Sequence, residues 1–190
     1  MTNTFEVHTI DSAPAESKAT LQQTKAAFGA VPNLFGVFAE SPAALQAYAR
    51  LGGILEKQSA FSPTELQVVL LSTSYENDCT YCVAAHTAVA GAQKVPHDVI
   101  AAVRDGAPLK DPKLEALRAF TRAVVADRGW VSETALRAFL DAGYQNRHVL
   151  EVIVAVAFKT ISNYTNHVAD TPLDAAFQRF AWSKPAAVTG

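Results

Sequence analysis

Cys79-Thr80-Tyr81-Cys82-Val83-Ala84-Ala85-His86 is the stretch of this chain whose residue types and spacing could do chemistry. Cys79 and Cys82 are its two cysteines in 190 residues. They stand three positions apart, and His86 follows the second by four. On a helix, at roughly 100° per residue, these offsets bring the three side chains within about 60° of one another on one face. Two thiols that can close into a disulfide, beside a group that can move a proton, make a redox site. A thiolate attacks, a sulfenic acid forms, and the second thiol condenses with it. Exchange with an external thiol then restores the pair.

Four readings of the pair compete. Inert buried thiols are one, because free cysteine is among the most buried residue types. A zinc site of Cys79, Cys82, His86 and a fourth ligand such as Glu76 is another. It lacks a second ligand pair at its own spacing, so no metal is expected. A thioredoxin-type site needs a strand before the cysteines and a βαβ frame, and this chain offers helices. A helical dithiol site is the reading preferred. With Asn77 or Asp78 as cap, Cys79 falls in the first helical turn, where the helix dipole favours an anion. Cys82 lies a turn deeper, with His86 in reach of its proton.

A relay histidine needs an orienting group. Gln67 shares a face with Leu70 and Leu71, so it should be buried and partnered. Glu76, three residues before Cys79, is a second candidate; its plainer reading is a solvated turn residue. Glu65 reads as a capping-box residue at the surface.

The elements that must position these residues read almost wholly as helix. Residues 16–28 are rich in Ala, Lys and Gln and stop at Gly29. Val31-Pro32-Asn33 opens a short apolar helix ending near Glu40. Ser41-Pro42 starts one running to about Gln58, and Ser62-Pro63-Thr64-Glu65 starts the next. Asn77-Asp78 breaks the chain before a helix from Cys79 to about Gln93. Further helices follow from Pro96 to Gly106, over 112–127, from Ser132 to Gly143, and from Gln145 to about His167. The tail from Asp170 is mixed, with Phe177, Phe180 and Trp182 as docking residues. Val68-Val69 and Val152-Ile153-Val154 lie in long runs without hairpin signals and read as buried helix. The expected class is all-α, one domain over 1–190. Its redox core spans about 40–110 and its C-terminal helical part about 112–182.

Composition narrows the function classes. Apolar residues make up 49% and charged residues 18%, as in a packed globule. A net charge of -2 and no Lys/Arg cluster leave no footprint for nucleic acid or an anionic membrane. The N-terminus lacks the positive start and apolar core of a signal peptide. No run reaches the length of a spanning helix. A cytoplasmic location is expected, where a close cysteine pair is more often catalytic or metal-binding than structural. No Gly-rich phosphate loop is present, so no organic cofactor is expected.

Ser62-Pro63 followed by QVVLLSTSYENDCTYCVAAH resembles the redox branch of the carboxymuconolactone decarboxylase/alkylhydroperoxidase D (AhpD-like) family. Gly29-Ala30-Val31-Pro32-Asn33-Leu34-Phe35, Ser41-Pro42 and Lys159-Thr160-Ile161-Ser162-Asn163-Tyr164 with His167 extend the likeness over most of residues 25–182. The resemblance implies an all-helical fold assembled as a homotrimer or homohexamer. It implies a thiol-dependent peroxidase acting on an alkyl hydroperoxide or H2O2, regenerated by a thiol or dithiol reductant. Cys82 would be the peroxidatic thiol, Cys79 the resolving thiol and His86 the proton relay. Cys79, expected nearer the surface, would exchange with the reductant. A disulfide reductase or a non-catalytic redox sensor is the alternative. Decarboxylation is not expected, because decarboxylase members lack the cysteine pair. Redox members commonly carry a glutamate twelve residues before the first cysteine. Here Gln67 stands there, and an amide takes no proton, which leaves Glu76 as the candidate replacement base.

Overall fold

The structure of the chain, a computed structural model, describes residues 4–186. The expected domain span 1–190 thus includes a few terminal residues outside the described ones. Among the described residues there are nine α-helices, one 3-10 helix and no strand. The α-helices are α1 (Ala15–Phe28), α2 (Asn33–Phe38), α3 (Pro42–Gln58), α4 (Pro63–Glu76), α5 (Thr80–Ala92), α6 (His97–Asp105), α7 (Pro112–Ala126), α8 (Glu133–Asp141) and α9 (Asn146–Ala169). The 3-10 helix is Ala175–Phe180. No helix is long and apolar enough to cross a membrane among these residues.

The starts follow the local chemistry. Ser62 accepts from the Glu65 amide at 3.2 Å, and the Glu65 carboxylate accepts from the Ser62 amide at 2.9 Å, closing the expected capping box. The Ser41 side chain accepts from the Ala44 amide and that of Asp111 from the Lys113 and Leu114 amides, capping α3 and α7, each ahead of a proline in the first turn. Helix α4 is the centre, packed against α5, α6, α7 and α9. Every residue from Gln67 to Ser74 is buried, as expected of a helix surrounded by others. Helix α3 packs on α1 and α9. Phe120, Phe139 and Tyr144 stack in series, with centroids 4.3 and 4.5 Å apart, and fix α8 on α7.

The turn between α4 and α5 differs from expectation in one respect. Asn77 closes α4 and Asp78 is left-handed at φ 54°, a conformation that Asp tolerates better than most residues. The Cys79 amide then donates to Ser74 O at 3.0 Å and the Asp78 amide to Tyr75 O at 3.1 Å. This is a Schellman closure. It makes Cys79 the N-cap of α5 rather than a residue of its first turn.

The C-terminal segment lies over α5. Tyr81 Oη donates to Asp174 at 2.5 Å, and the other Asp174 oxygen accepts from the Asn33 amide at 3.0 Å. The ring of Phe177 meets Tyr81 edge-on. Trp182 Nε1 donates to Arg104 O at 2.9 Å, and the Arg104 guanidinium donates to the carbonyls of Phe180 and Ala181. Gly106, the left-handed C-cap of α6 at φ 68°, allows this layer to close: a Cβ there would collide with the Tyr75 ring, which itself packs on Trp182. Gly106→Ala should cost about 1–2 kcal/mol for the backbone alone, with the clash in addition. The expected fall in Tm is at least ~2–4 °C, and an unchanged thermal melt would refute this account.

Candidate functional site: a buried dithiol facing a polar helix stripe

Cys79 and Cys82 are both free thiols, and each is 1% exposed. Cys79 is therefore no nearer the surface than Cys82, contrary to expectation. The Schellman turn carries it inward, and α9 and the C-terminal segment cover α5.

What faces the sulfurs is a stripe of α9. Lys159, Ser162, Asn163 and Asn166 fall at i, i+3, i+4 and i+7, so they share one helix face, and all four are buried. Asn166 Nδ2 lies 3.2 Å from Cys82 Sγ and 3.7 Å from Cys79 Sγ, within reach of both sulfurs at once. Ser162 Oγ is 3.8 Å from Cys82 Sγ and hydrogen-bonds to Lys159 O at 3.1 Å. Asn163 Oδ1 accepts from Asn77 Nδ2 at 2.9 Å, which ties α9 to the turn before Cys79. Asn163 Nδ2 has no hydrogen-bond partner of regular geometry among the described residues, and it lies where its N–H groups favour negative charge on Cys82. From α3, Tyr48 stacks on Phe158 at 4.4 Å and approaches Ser162 and both cysteines.

Electrostatics separate the two thiols. Cys79 is pushed up, first because it donates a hydrogen bond to Cys82, then by burial and by negative charge on Cys82. For Cys82, burial opposes ionisation. The hydrogen bond from Cys79, the charge of Lys159 and the contacts with Ser162 and Asn163 outweigh it and hold the thiol well below its ordinary value. The helix-dipole argument, which favoured Cys79 as the more acidic thiol, is outweighed because Cys79 serves as the donor of the pair. Burial keeps Tyr48 protonated.

His86 is bound to the residue expected to orient it. His86 Nδ1 lies 3.0 Å from Gln67 Oε1, and Gln67 Nε2 donates to Gln93 Oε1 at 3.0 Å. With the amide so directed, Gln67 accepts from His86 Nδ1–H, leaving Nε2 the bare nitrogen. Burial, then the charge of Lys159, holds His86 well below its ordinary value, so the ring is neutral. No hydrogen bond joins His86 to either sulfur among the described residues.

Glu76 is not brought to the site. Its carboxylate is paired with Arg122 of α7, and its carbonyl accepts from Lys184. The Schellman turn reverses the chain after it, so three residues of separation from Cys79 do not bring the side chains together. Sequence reasoning missed Lys159, Ser162, Asn163 and Asn166 as site residues. Their signal was a polar i, i+3, i+4, i+7 series inside an apolar helix. Tyr48 carried no signal, lying on the apolar stripe of α3. No metal-ligating cluster of His, Cys, Asp and Glu occurs among the described residues.

The histidine gives a pH prediction. Below its ordinary value of 6.5 the unfolded chain binds a proton at His86 that the folded chain does not. Stability is therefore fully present above 6.5 and lost as pH falls. Thermal melts between pH 7 and 5 should show a falling Tm. His86→Gln should make that slope shallower; an identical slope in the variant would contradict a buried neutral histidine.

Residues 42–123 match the sequence profile of the carboxymuconolactone decarboxylase family. No curated protein matches the chain in sequence. Among solved structures, an alkylhydroperoxidase AhpD core, an uncharacterized peroxidase-related protein from Ralstonia eutropha JMP134, superposes with a TM-score of 0.81 at 21% identity, over 91% of this chain and 93% of its own. A peroxidase-related protein from Silicibacter sp. TM1040 gives 0.74 at 19% identity, over 93% and 95%. The debrominase Bmp8 C82A in complex with 2,3,4-tribromopyrrole gives 0.78 at 15% identity, over 95% and 96%. The chain is thus similar to the carboxymuconolactone decarboxylase family over residues 42–123, and its helical fold is AhpD-like over nearly its whole length.

Proposed function

We propose that the protein is a thiol-dependent peroxidase that reduces a hydroperoxide through a Cys79/Cys82 dithiol–disulfide cycle. The observation that carries this reading is the shared donor: Asn166 Nδ2 reaches both sulfurs, with Cys82 held toward thiolate and Cys79 toward thiol. A thiolate beside a protonated partner is the arrangement that attacks an O–O bond and then resolves the sulfenic acid. Cys82 attacks and Cys79 resolves. Gln67 and His86 supply a neutral, tautomer-fixed imidazole rather than a carboxylate-driven relay. The cycle needs an external thiol or dithiol reductant, which suits a reducing compartment such as the cytoplasm.

The test is peroxide consumption with a dithiol reductant. Cys82→Ser should abolish turnover, a loss of at least about 10³-fold. Cys79→Ser should still form a sulfenic acid that dimedone traps, yet fail to cycle. Full turnover by Cys82→Ser would sink the assignment. The rival reading, a disulfide reductase, predicts faster reduction of insulin or lipoamide than of peroxide. Bromide release from 2,3,4-tribromopyrrole serves as a control, since the debrominase shares the fold at an identity that carries no substrate.

Self-association is part of the proposal. Leu150, Ile153, Tyr164 and Val168 stand exposed along α9, away from the thiols, beside a cavity of about 340 Å³ lined by Val124, Val125, Val156 and Ala157. A face of this kind suits a contact between copies, as in a homotrimer or homohexamer. Leu150→Glu with Ile153→Glu should lower the mass measured by light scattering to that of one chain. A monomeric wild type would refute the assembly.

A further inference from the structure

A lysine ammonium out of water needs an anion. Lys159 is 1% exposed, and no Asp or Glu is paired with it among the described residues. Lys159 shares the buried face of α9 with Ser162 and Asn166, and that face meets Cys79 and Cys82 of α5, with His86 one turn beyond; its ammonium also lies over the Phe158 ring, 5.7 Å from the centroid. Tyr48 of α3 also lies beside the thiols. Three of these four cannot serve as the anion. Burial keeps Tyr48 protonated, His86 has no anionic form to offer, and Cys79, the thiol pushed up, stands farther from the Asn166 amide than Cys82 does, at 3.7 against 3.2 Å. Cys82 is left, and the side-chain amides of Asn166 and Asn163 turn N–H groups toward it as donors face an anion.

We propose that Lys159 and Cys82 form an internal ammonium–thiolate pair, and that Lys159 is the acid that protonates the departing oxygen when Cys82 attacks a hydroperoxide. The second half rests on the peroxidase reading above; the first does not.

The electron and proton count explains why the acid should be this lysine. The Cys82 thiolate attacks the terminal oxygen of ROOH. An S–O bond forms, the O–O bond breaks, and the sulfur gives up two electrons. The alkoxide takes a proton from Lys159 and leaves as ROH, and Lys159 becomes a neutral amine. The thiolate is gone at the same moment, so no unpaired charge is stranded in the interior. Cys79 then attacks the sulfenic acid. The S–S bond forms, the S–O bond breaks, and hydroxide leaves with the Cys79 proton as water. A dithiol reductant returns two electrons and two protons, one to Cys79 and one to Lys159. The buried site stays neutral throughout, which a lysine that held its proton would prevent. It also gives the reaction a proton source that neither Gln67 nor a neutral His86 provides.

Three measurements on the full chain decide the matter. The first is the ultraviolet thiolate titration of Cys82 in a Cys79→Ser background. Lys159→Met should raise its midpoint by about one pH unit or more, and Lys159→Arg should restore it; no shift in Lys159→Met overturns the ion pair. The second is steady-state peroxide turnover in the full-cysteine chain. Lys159→Met and Lys159→Arg should both lose at least tenfold, because arginine restores the charge but gives up no proton. Turnover by Lys159→Arg at the wild-type rate overturns the proton donor. The third counts protons in weakly buffered wild-type protein oxidised by hydroxyethyl disulfide. No net uptake per protein disulfide is expected, and uptake of one proton overturns the deprotonation of Lys159. The first and third measurements need no peroxide, so a wild type inactive toward peroxide would defeat the peroxidase reading and leave the ion pair to be judged on its own.

Discussion

Four polar side chains of α9 are shut away from water, and the site depends on what they are given to bond. A buried amide or ammonium without a partner costs more than the hydrogen bond it forgoes. Opposite Lys159, Ser162, Asn163 and Asn166 the fold places two sulfurs and the amide of Asn77. Sulfur is a weak acceptor as a thiol and a strong one as an anion. The stripe is therefore best satisfied when one sulfur carries charge, and the position of Cys82, touching more of the stripe than Cys79, decides which. Which sulfur is favoured as the anion is decided by the helix that faces the pair more than by the helix that bears it.

Much of the scaffold was legible in advance. Caps at Ser41, Ser62 and Ser132 and the glycine stops at Gly29 and Gly106 act over three or four residues, so the sequence exposes them directly. The cysteine pair and His86 were legible for the same reason, lying within two turns of one helix. Gln67 was expected to be buried and partnered, and it is, through Gln93 and His86.

The rest turned on contacts between segments far apart in the chain. Arg122 takes Glu76 across 46 positions, and no local pattern announces that pairing. The burial of Cys79 comes from α9 and from residues after 170, whose docking through Asp174 and Trp182 joins them to Tyr81 and Arg104. Lys159 and Asn166 were visible as letters. Their shared phase was hidden because an apolar helix invites a search for its apolar stripe, when the polar minority keeps the same period.

The Schellman closure at Cys79 bears on how little must move. Its amide is committed to Ser74 O at 3.0 Å, and its carbonyl accepts from the Val83 amide at 3.0 Å. One bond ends the helix before it and the other begins the helix after it. The backbone at this residue has no slack to give, so closing the bond to Cys82 falls to rotation about the Cα–Cβ bond. A disulfide between these two sulfurs would share one main-chain path with the free thiols, and the reorganisation of closing it would be confined to a few side-chain torsions and a proton.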